Sequence, residues 1–265
     1  VEHVVALPRA PGPQVRFGKV DLANLASIAG FAAQLAQEQE SLDLLINNAG
    51  VMTPPERRET SDGFELQFGT NYLGHFALTA HLLPLLRKGK DARVVTLSSV
   101  AARQGKIDFG DLQSRRAYNP MRAYSQSKLA CLMFVLELQR RSEAGGWGIT
   151  SIAAHPGISR TELLHNAPGR WSPSGLARSF LWFLFQPAAQ GALPTLHAAT
   201  APTAKAGAYY GPDGLGEMRG FPGLSKVPPQ ATDGAVTERL WNVSEELAGV
   251  AFGSDVAPKS RSLHP

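Results

Sequence analysis

The 265-residue chain is 43% apolar and 18% charged, a globular composition that excludes disordered and collagen-like classes. Lys and Arg number 26 against 22 Asp and Glu, a net charge of +4 scattered along the chain, so the balance does not point to nucleic acid as a partner. Cys131 is the single cysteine, which excludes an internal disulfide and makes a reducing, cytoplasmic setting the default.

Short β-branched runs alternate with longer stretches of helical periodicity, the pattern of stacked βαβ units. Strands are expected at about 3–7, 15–20, 42–46, 92–97, 148–154 and 207–210, and helices at 24–39, 64–87, 121–143, 187–200 and 233–248. The strands at 42–46 and 92–97 are apolar almost throughout, as they are where helices cover both sheet faces. The expected fold is therefore α/β, a doubly wound parallel sheet in three layers, formed by 1–265 as a single domain. Gly211 to Pro229 reads as the start of an irregular C-terminal extension leading to one last helix. The longest apolar run, Phe180 to Phe185, falls far short of the roughly 20 residues that span a bilayer, so no stable membrane insertion is expected. Val1 to Leu7 lacks the features of a secretory signal.

The start of the chain breaks the pattern. A doubly wound sheet that binds nucleotides normally opens with a strand, a glycine-rich turn and a helix whose amides hold a pyrophosphate, and that turn is absent here. If 3–7 and 15–20 are parallel neighbours, Ala10 to Gln14 cannot carry the connection, because a parallel crossover needs about a dozen residues. A missing segment is the expected explanation; an irregular N-terminal arm is the alternative.

Four constellations stand out, three of them where an open parallel sheet binds ligands, beyond the carboxyl ends of strands. Asn47-Asn48-Ala49-Gly50 follows the strand at 42–46, and small residues there let a flat ligand approach the backbone, although an Asn-Gly turn has the same look. Ser98-Ser99 ends the strand at 92–97 and offers a hydroxyl to a substrate oxygen or to local backbone. Tyr124 and Lys128 are one turn apart on a helix, and a positive charge beside a phenol favours the phenolate and hence proton transfer. His155 to Thr161 follows the strand at 148–154, with Pro156-Gly157 freeing backbone groups to face a ligand or forming a plain turn. The seven histidines show no metal-ligand spacing, and Ser99 lacks the Gly-x-Ser-x-Gly elbow of a hydrolase.

Taken jointly, Asp21-Leu22, Asn47 to Gly50, Asn71, Ser99, Tyr124 with Lys128, and Pro156-Gly157 resemble the short-chain dehydrogenase/reductase family in order and spacing. The likeness covers roughly residues 15 to 200, and the 105–128 and 207–220 stretches are similar to its retinol-dehydrogenase-like branch. The resemblance implies a Rossmann-type sheet and an oxidoreductase in which Ser99 orients the substrate carbonyl, Tyr124 is general acid or base, and Lys128 tunes the phenol and binds the nicotinamide ribose. It implies further that Asn71 holds a proton-relay water through its helix. Asp21 and Leu22 would lie at the adenine, Asn48, Ala49 and Gly50 along the adenosine half, and Pro156, Gly157, Ile158 and Thr161 at the nicotinamide side.

Arg9 follows the 3–7 run, where its guanidinium would pair with a ribose 2′-phosphate, so NADP is expected over NAD, which stays possible. The resemblance implies a substrate lid at 162–186, whose large apolar residues, Leu176, Phe180, Leu181 and Phe183 to Phe185, suit a lipophilic alcohol, aldehyde or ketone; a core-packing or subunit-contact helix is the alternative. An exposed last strand would leave room for a homo-oligomer. The alternative function is a nucleotide-binding regulator of the same fold without turnover, supported only by the missing glycine turn.

Overall fold

The structure is a computed structural model that describes residues 15–158 and 186–253. Helix α1 (Leu25–Glu38) leads into β1 (Leu44–Asn47), a π-helical turn (Phe68–Leu73), α2 (Gly74–Leu86) and β2 (Arg93–Leu97). A 3-10 turn (Val100–Gln104), the 26-residue α3 (Pro120–Gly145) and β3 (Thr150–Ala154) follow. After the undescribed segment come α4 (Ala188–Gly191), α5 (Leu193–Thr200), β4 (Tyr209–Pro212), β5 (Pro222–Leu224) and α6 (Gly234–Ala248).

The strands form one sheet in the order β1-β2-β3-β4-β5, parallel from β1 to β4 and antiparallel at β5. Alternation along each strand divides the side chains between two faces. Val94, Ala153 and Tyr209 join the larger core with residues of α1, α2, α3 and α6, whereas Val95, Leu97, Ile152, Ala154 and Tyr210 meet Ala198 and Ala199 of α5. This is the doubly wound, three-layer arrangement expected of the sequence. Leu44 and Ile46 of β1 stay 36% and 38% exposed, while Leu45 between them packs on the larger core.

Local signals set the helix limits. The Asn24 side chain accepts from the Ser27 amide to start α1, and Asn119 accepts from the Arg122 amide to start α3, with Pro120 in the first turn, where its missing N–H costs nothing. Gly146, at φ 60°, ends α3, and Gly249, at φ 66°, ends α6.

Four expectations are corrected. Residues 15–20 form no strand: no neighbour offers a ladder, and Val15 and Phe17 stay exposed. The run at 64–87 is not one α-helix. Its Phe68–Leu73 turn is π-helical, packed so closely that a Cβ on Gly69 would sit 2.4 Å from the Thr60 methyl and one on Gly74 2.4 Å from the Leu22 carbonyl. The 187–200 helix breaks into α4 and α5 at Ala192. Gly211 to Pro229 is not merely irregular, because Pro222–Leu224 pairs with Tyr210–Pro212 and covers the strand that was expected to end the sheet exposed. The expected strand at 3–7 and lid at 162–186 lie outside the described residues, Gln186 excepted. Among the described residues no helix is long and apolar enough to cross a membrane.

An aromatic cluster binds α6 to α2 and α3. Trp241, 1% exposed, lies 5.1 Å from the Phe76 ring and 5.8 Å from Phe134, and the Tyr72 hydroxyl bonds Ser244 Oγ at 2.7 Å. Trp241→Ala should remove about 3–5 kcal/mol of unfolding free energy, read from the urea midpoint; a loss under 1 kcal/mol would show that α6 is dispensable to the core.

Candidate active site

Three strand ends and one helix converge at the carboxyl edge of the sheet. Register aligns β1, β2 and β3 in parallel, so the turns after Asn47, Leu97 and Ala154 emerge on one edge. Tyr124 and Lys128 are 8% and 6% exposed on α3, with Lys128 Nζ 6.0 Å from the Tyr124 ring centre. Nζ donates to the Leu97 carbonyl at 3.0 Å, which uses one of its three N–H groups and ties α3 to the end of β2.

Asn71 and Gly50 are brought to the same ammonium. The Asn71 side chain accepts from the Val51 amide at 2.7 Å and donates to the Val51 carbonyl and to Ser127 Oγ, locking the turn after β1 onto α3. A Cβ on Gly50 would lie 2.9 Å from Asn71 Oδ1 and 3.6 Å from Lys128 Nζ, so glycine keeps open a cradle that any other residue would fill. The Asn71 carbonyl is occupied, accepting from His75 Nδ1 at 2.9 Å and from the Cys131 thiol at 3.1 Å. Asn48 and Ala49 are exposed, whereas Asn47 is buried and donates to Thr79 and Thr96, a structural tie between β1, α2 and β2.

The two serines differ. Ser98, 3% exposed, donates its hydroxyl to the Lys128 carbonyl at 2.7 Å. Half-buried Ser99 accepts from the Ala101 amide at 3.2 Å, starting the 3-10 turn, and its hydroxyl proton stays available. Asp21 is exposed and accepts from the Ala23 amide at 2.9 Å, just ahead of the α1 cap, with Leu22 half-buried beside it. Pro156, Gly157 and Ile158 are half-buried after β3; Arg9 and Thr161 lie outside the described residues. Among the described residues no cluster of three His, Cys, Asp or Glu could hold a metal.

Sequence reasoning missed the residues that fix the Pro156–Ile158 turn. Gln186 donates to the Pro156 carbonyl, the Ile158 amide donates to the Met218 carbonyl at 2.8 Å, and the Gly157 amide donates to His155 Nδ1 at 3.2 Å. Gly157 itself sits at φ 63°, with no room for a Cβ beside the Met218 carbonyl. These partners are 30 to 62 residues from the turn in the case of Gln186 and the Glu217 that holds His155, a separation that leaves no local pattern.

Burial lowers the pKa of two histidines here. Desolvation outweighs the hydrogen bond from His75 to the Asn71 carbonyl, with the Lys128 charge adding to it, and brings His75 down to about 4. Desolvation likewise outweighs Glu217 and, helped by the Arg103 charge, brings His155 down to about 4. Both rings are neutral at pH 7.

A family model described as short chain dehydrogenase matches residues 1–170. Mouse (Mus musculus) retinol dehydrogenase 13 is 42% identical over 246 residues, 91% of this chain and 70% of that protein. Mouse polyprenol dehydrogenase is 40% identical over 260 residues, 95% of this chain and 74% of that protein. Among solved structures, an uncharacterized protein from Mycobacterium paratuberculosis is 38% identical, with a TM-score of 0.71 over 89% of this chain and 76% of that one.

Folded His75 and His155 bind fewer protons than the unfolded chain between pH 6.5 and about 4, so their burial costs nothing above that window and destabilises progressively as pH falls through it. Each removes up to about 3 kcal/mol, while Glu65, whose carboxyl burial raises, works in the opposite sense near the lower end. Urea midpoints should drop between pH 7 and pH 4.5, and His75→Asn, which keeps the donor toward Asn71, should roughly halve the slope. An unchanged midpoint across that range would show that the rings are not buried neutral.

Proposed function

Because the chain belongs to the short-chain dehydrogenase family, we propose that it interconverts a lipophilic alcohol and its aldehyde or ketone with a nicotinamide cofactor, NADP before NAD. The observation that carries this reading is the convergence of Ser99, Tyr124 and Lys128 with the Gly50–Asn71 cradle on one sheet edge. Bound there, the nicotinamide would supply or take up the hydride.

The residues divide the remaining work. Lys128, with two N–H groups beyond its bond to Leu97, would hold the nicotinamide ribose and keep positive charge beside the phenol. Tyr124, whose hydroxyl makes no hydrogen bond among the described residues, would donate a proton to the carbonyl oxygen in reduction or accept it from the alcohol in oxidation. Ser99 would orient that oxygen. Asn71 acts on the turn after β1 through Val51, so its part is to hold the cradle in place. Asp21, Leu22, Asn48, Ala49 and Gly50 would line the adenosine half, and Pro156, Gly157, Ile158 and Thr161 the nicotinamide side. Arg9 supports the choice of NADP. Two relatives are named for retinol and polyprenol, both apolar isoprenoid alcohols, and the apolar composition of 162–186 suits a substrate of that class.

NADPH-dependent reduction of retinal, followed by nicotinamide absorbance, tests the reading. Tyr124→Phe should lower kcat by about two to four orders of magnitude with NADPH affinity near wild type; near-normal turnover would remove Tyr124 from the chemistry. Ser99→Ala and Ser98→Ala separate the two hydroxyls. The first should lower kcat by about a hundredfold with little change in stability, and the second should cost about 1 kcal/mol of stability through the lost hydrogen bond to the Lys128 carbonyl, with a smaller kinetic effect. The reverse pattern would exchange their roles.

A further inference from the structure

A charged network lies behind the Pro156–Ile158 turn and involves none of the residues given a chemical part above. Glu217 receives three groups: the Lys226 amide at its Oε1, and His155 Nε2, at 3.1 Å, with the Arg103 guanidinium at its Oε2. Ser225 Oγ lies 2.9 Å from the same His155 nitrogen. Burial opposes the Glu217 carboxylate, yet these hydrogen bonds and the Arg103 charge together hold its pKa below the usual carboxylate range. The side chains of Arg103, Glu217 and His155 are 34%, 16% and 0% exposed, so the pair is partly shielded from water and the ring fully so.

The network joins two of the converging turns. Arg103 belongs to the 3-10 turn that begins at Ser99, and His155 is the residue before Pro156. His155 Nδ1 accepts the Gly157 amide, which fixes the tautomer: the proton must be on Nε2, directed at Glu217 and Ser225. Around the ring there is no slack. A Cβ on Gly211 would lie 1.9 Å from Nε2, and the Tyr209 ring packs against the imidazole with centres 5.0 Å apart. Glu217 itself adopts φ 57°, a left-handed conformation that disfavours a residue with a side chain. Glycine would relieve it, but glycine has no carboxylate to offer the ring.

We propose that Glu217 is a positioning residue for the nicotinamide end of the site: held by Arg103, its carboxylate orients His155 so that Nδ1 takes the Gly157 amide and sets the Pro156–Ile158 turn. This rests on the functional reading above, in which that turn faces the nicotinamide. An acceptor on both oxygens is what the site requires, since every group aimed at Glu217 is a donor. In Glu217→Gln one oxygen becomes an NH2 group. With its NH2 at the Oε1 place the amide opposes the Lys226 N–H; with its NH2 at the Oε2 place it opposes Arg103 and His155, and the ring is then freed to take the other tautomer, which would set Nδ1–H against the Gly157 amide. Glu217→Asp keeps the charge and both acceptors on a shorter arm.

The test compares two probes bound to the full chain, NADPH and 2′-phospho-ADP-ribose, which lacks the nicotinamide. Glu217→Gln should weaken NADPH about five- to tenfold while 2′-phospho-ADP-ribose stays within about twofold, and Glu217→Asp should recover most of the difference. Arg103→Met, which leaves the carboxylate but releases it, should show the same selective loss at smaller size and serves should Glu217→Gln not fold. Equal weakening of both probes, or no change in either, would overturn the positioning role and leave Glu217 a structural residue. Wild-type protein that binds 2′-phospho-ADP-ribose and NADPH but gains nothing from the nicotinamide would overturn it as well. Failure of the wild type to bind NADPH at all would overturn the functional reading first, an outcome the Glu217 variants cannot produce.

Discussion

Lys128 carries its ammonium to a position 6% exposed, where its hydrogen bond runs to the Leu97 carbonyl and no carboxylate among the described residues answers it. Burying a cation without a counter-anion is costly, and a protein arranged for stability alone would place an apolar side chain there. The surroundings make the arrangement tolerable. The carbonyl at the end of β2 supplies one acceptor, the Asn71 side chain fixes the turn after β1 beside it, and Ser98, next to Leu97 in the chain, anchors the Lys128 backbone. Two of these contacts come from the end of β2 and one fixes the turn after β1, so the cation is positioned across two adjacent strand ends. Its unused donors face the cradle that Gly50 keeps open, where a ligand's hydroxyl groups would complete the set.

The sheet is not uniformly covered. On the larger-core face four helices pack, with the aromatic cluster around Trp241 at its centre, while on the other face α5 covers β2 to β4 and leaves Leu44 and Ile46 of β1 partly bare among the described residues. The two ends of the site consequently rest on different supports. Toward β4 the Pro156–Ile158 turn is held by Gln186, by the Met218 carbonyl of the loop between β4 and β5, and by the His155 ring. Toward β1 the adenosine-side residues Asn48 and Ala49 are exposed, and fixation begins only at Gly50 and Val51, through Asn71. The chemistry read for the site belongs to its better-supported end.

How much of this was legible follows from the range over which each feature is determined. The Asn48-Ala49-Gly50 and Ser98-Ser99 turns and the Tyr124–Lys128 pair are each written within five residues, and a strand or helix period places them without knowledge of any other segment. Caps at Asn24, Asn119 and Asp233 are local too, which is why α1, α3 and α6 were found to within about two residues of their ends. Features fixed by distant partners were not legible. Phe68–Leu73 has the apolar spacing of an ordinary helix, and its π-helical turn depends on the close approach of Thr60 and Leu22 to Gly69 and Gly74. Val15 to Val20 has strand-like residues and no strand to pair with, while Pro222-Gly223-Leu224, poor in strand formers, pairs because Tyr210–Pro212 offers it a ladder. The same limit explains the Arg103–Glu217–His155 network. Glu217 sits in a Gly-rich loop that a sequence reading assigns to the surface, and only the folded sheet edge places its carboxylate against a histidine 62 residues away. A motif names the groups that do chemistry because chemistry needs fixed residue types; the groups that aim them can come from anywhere the fold brings near.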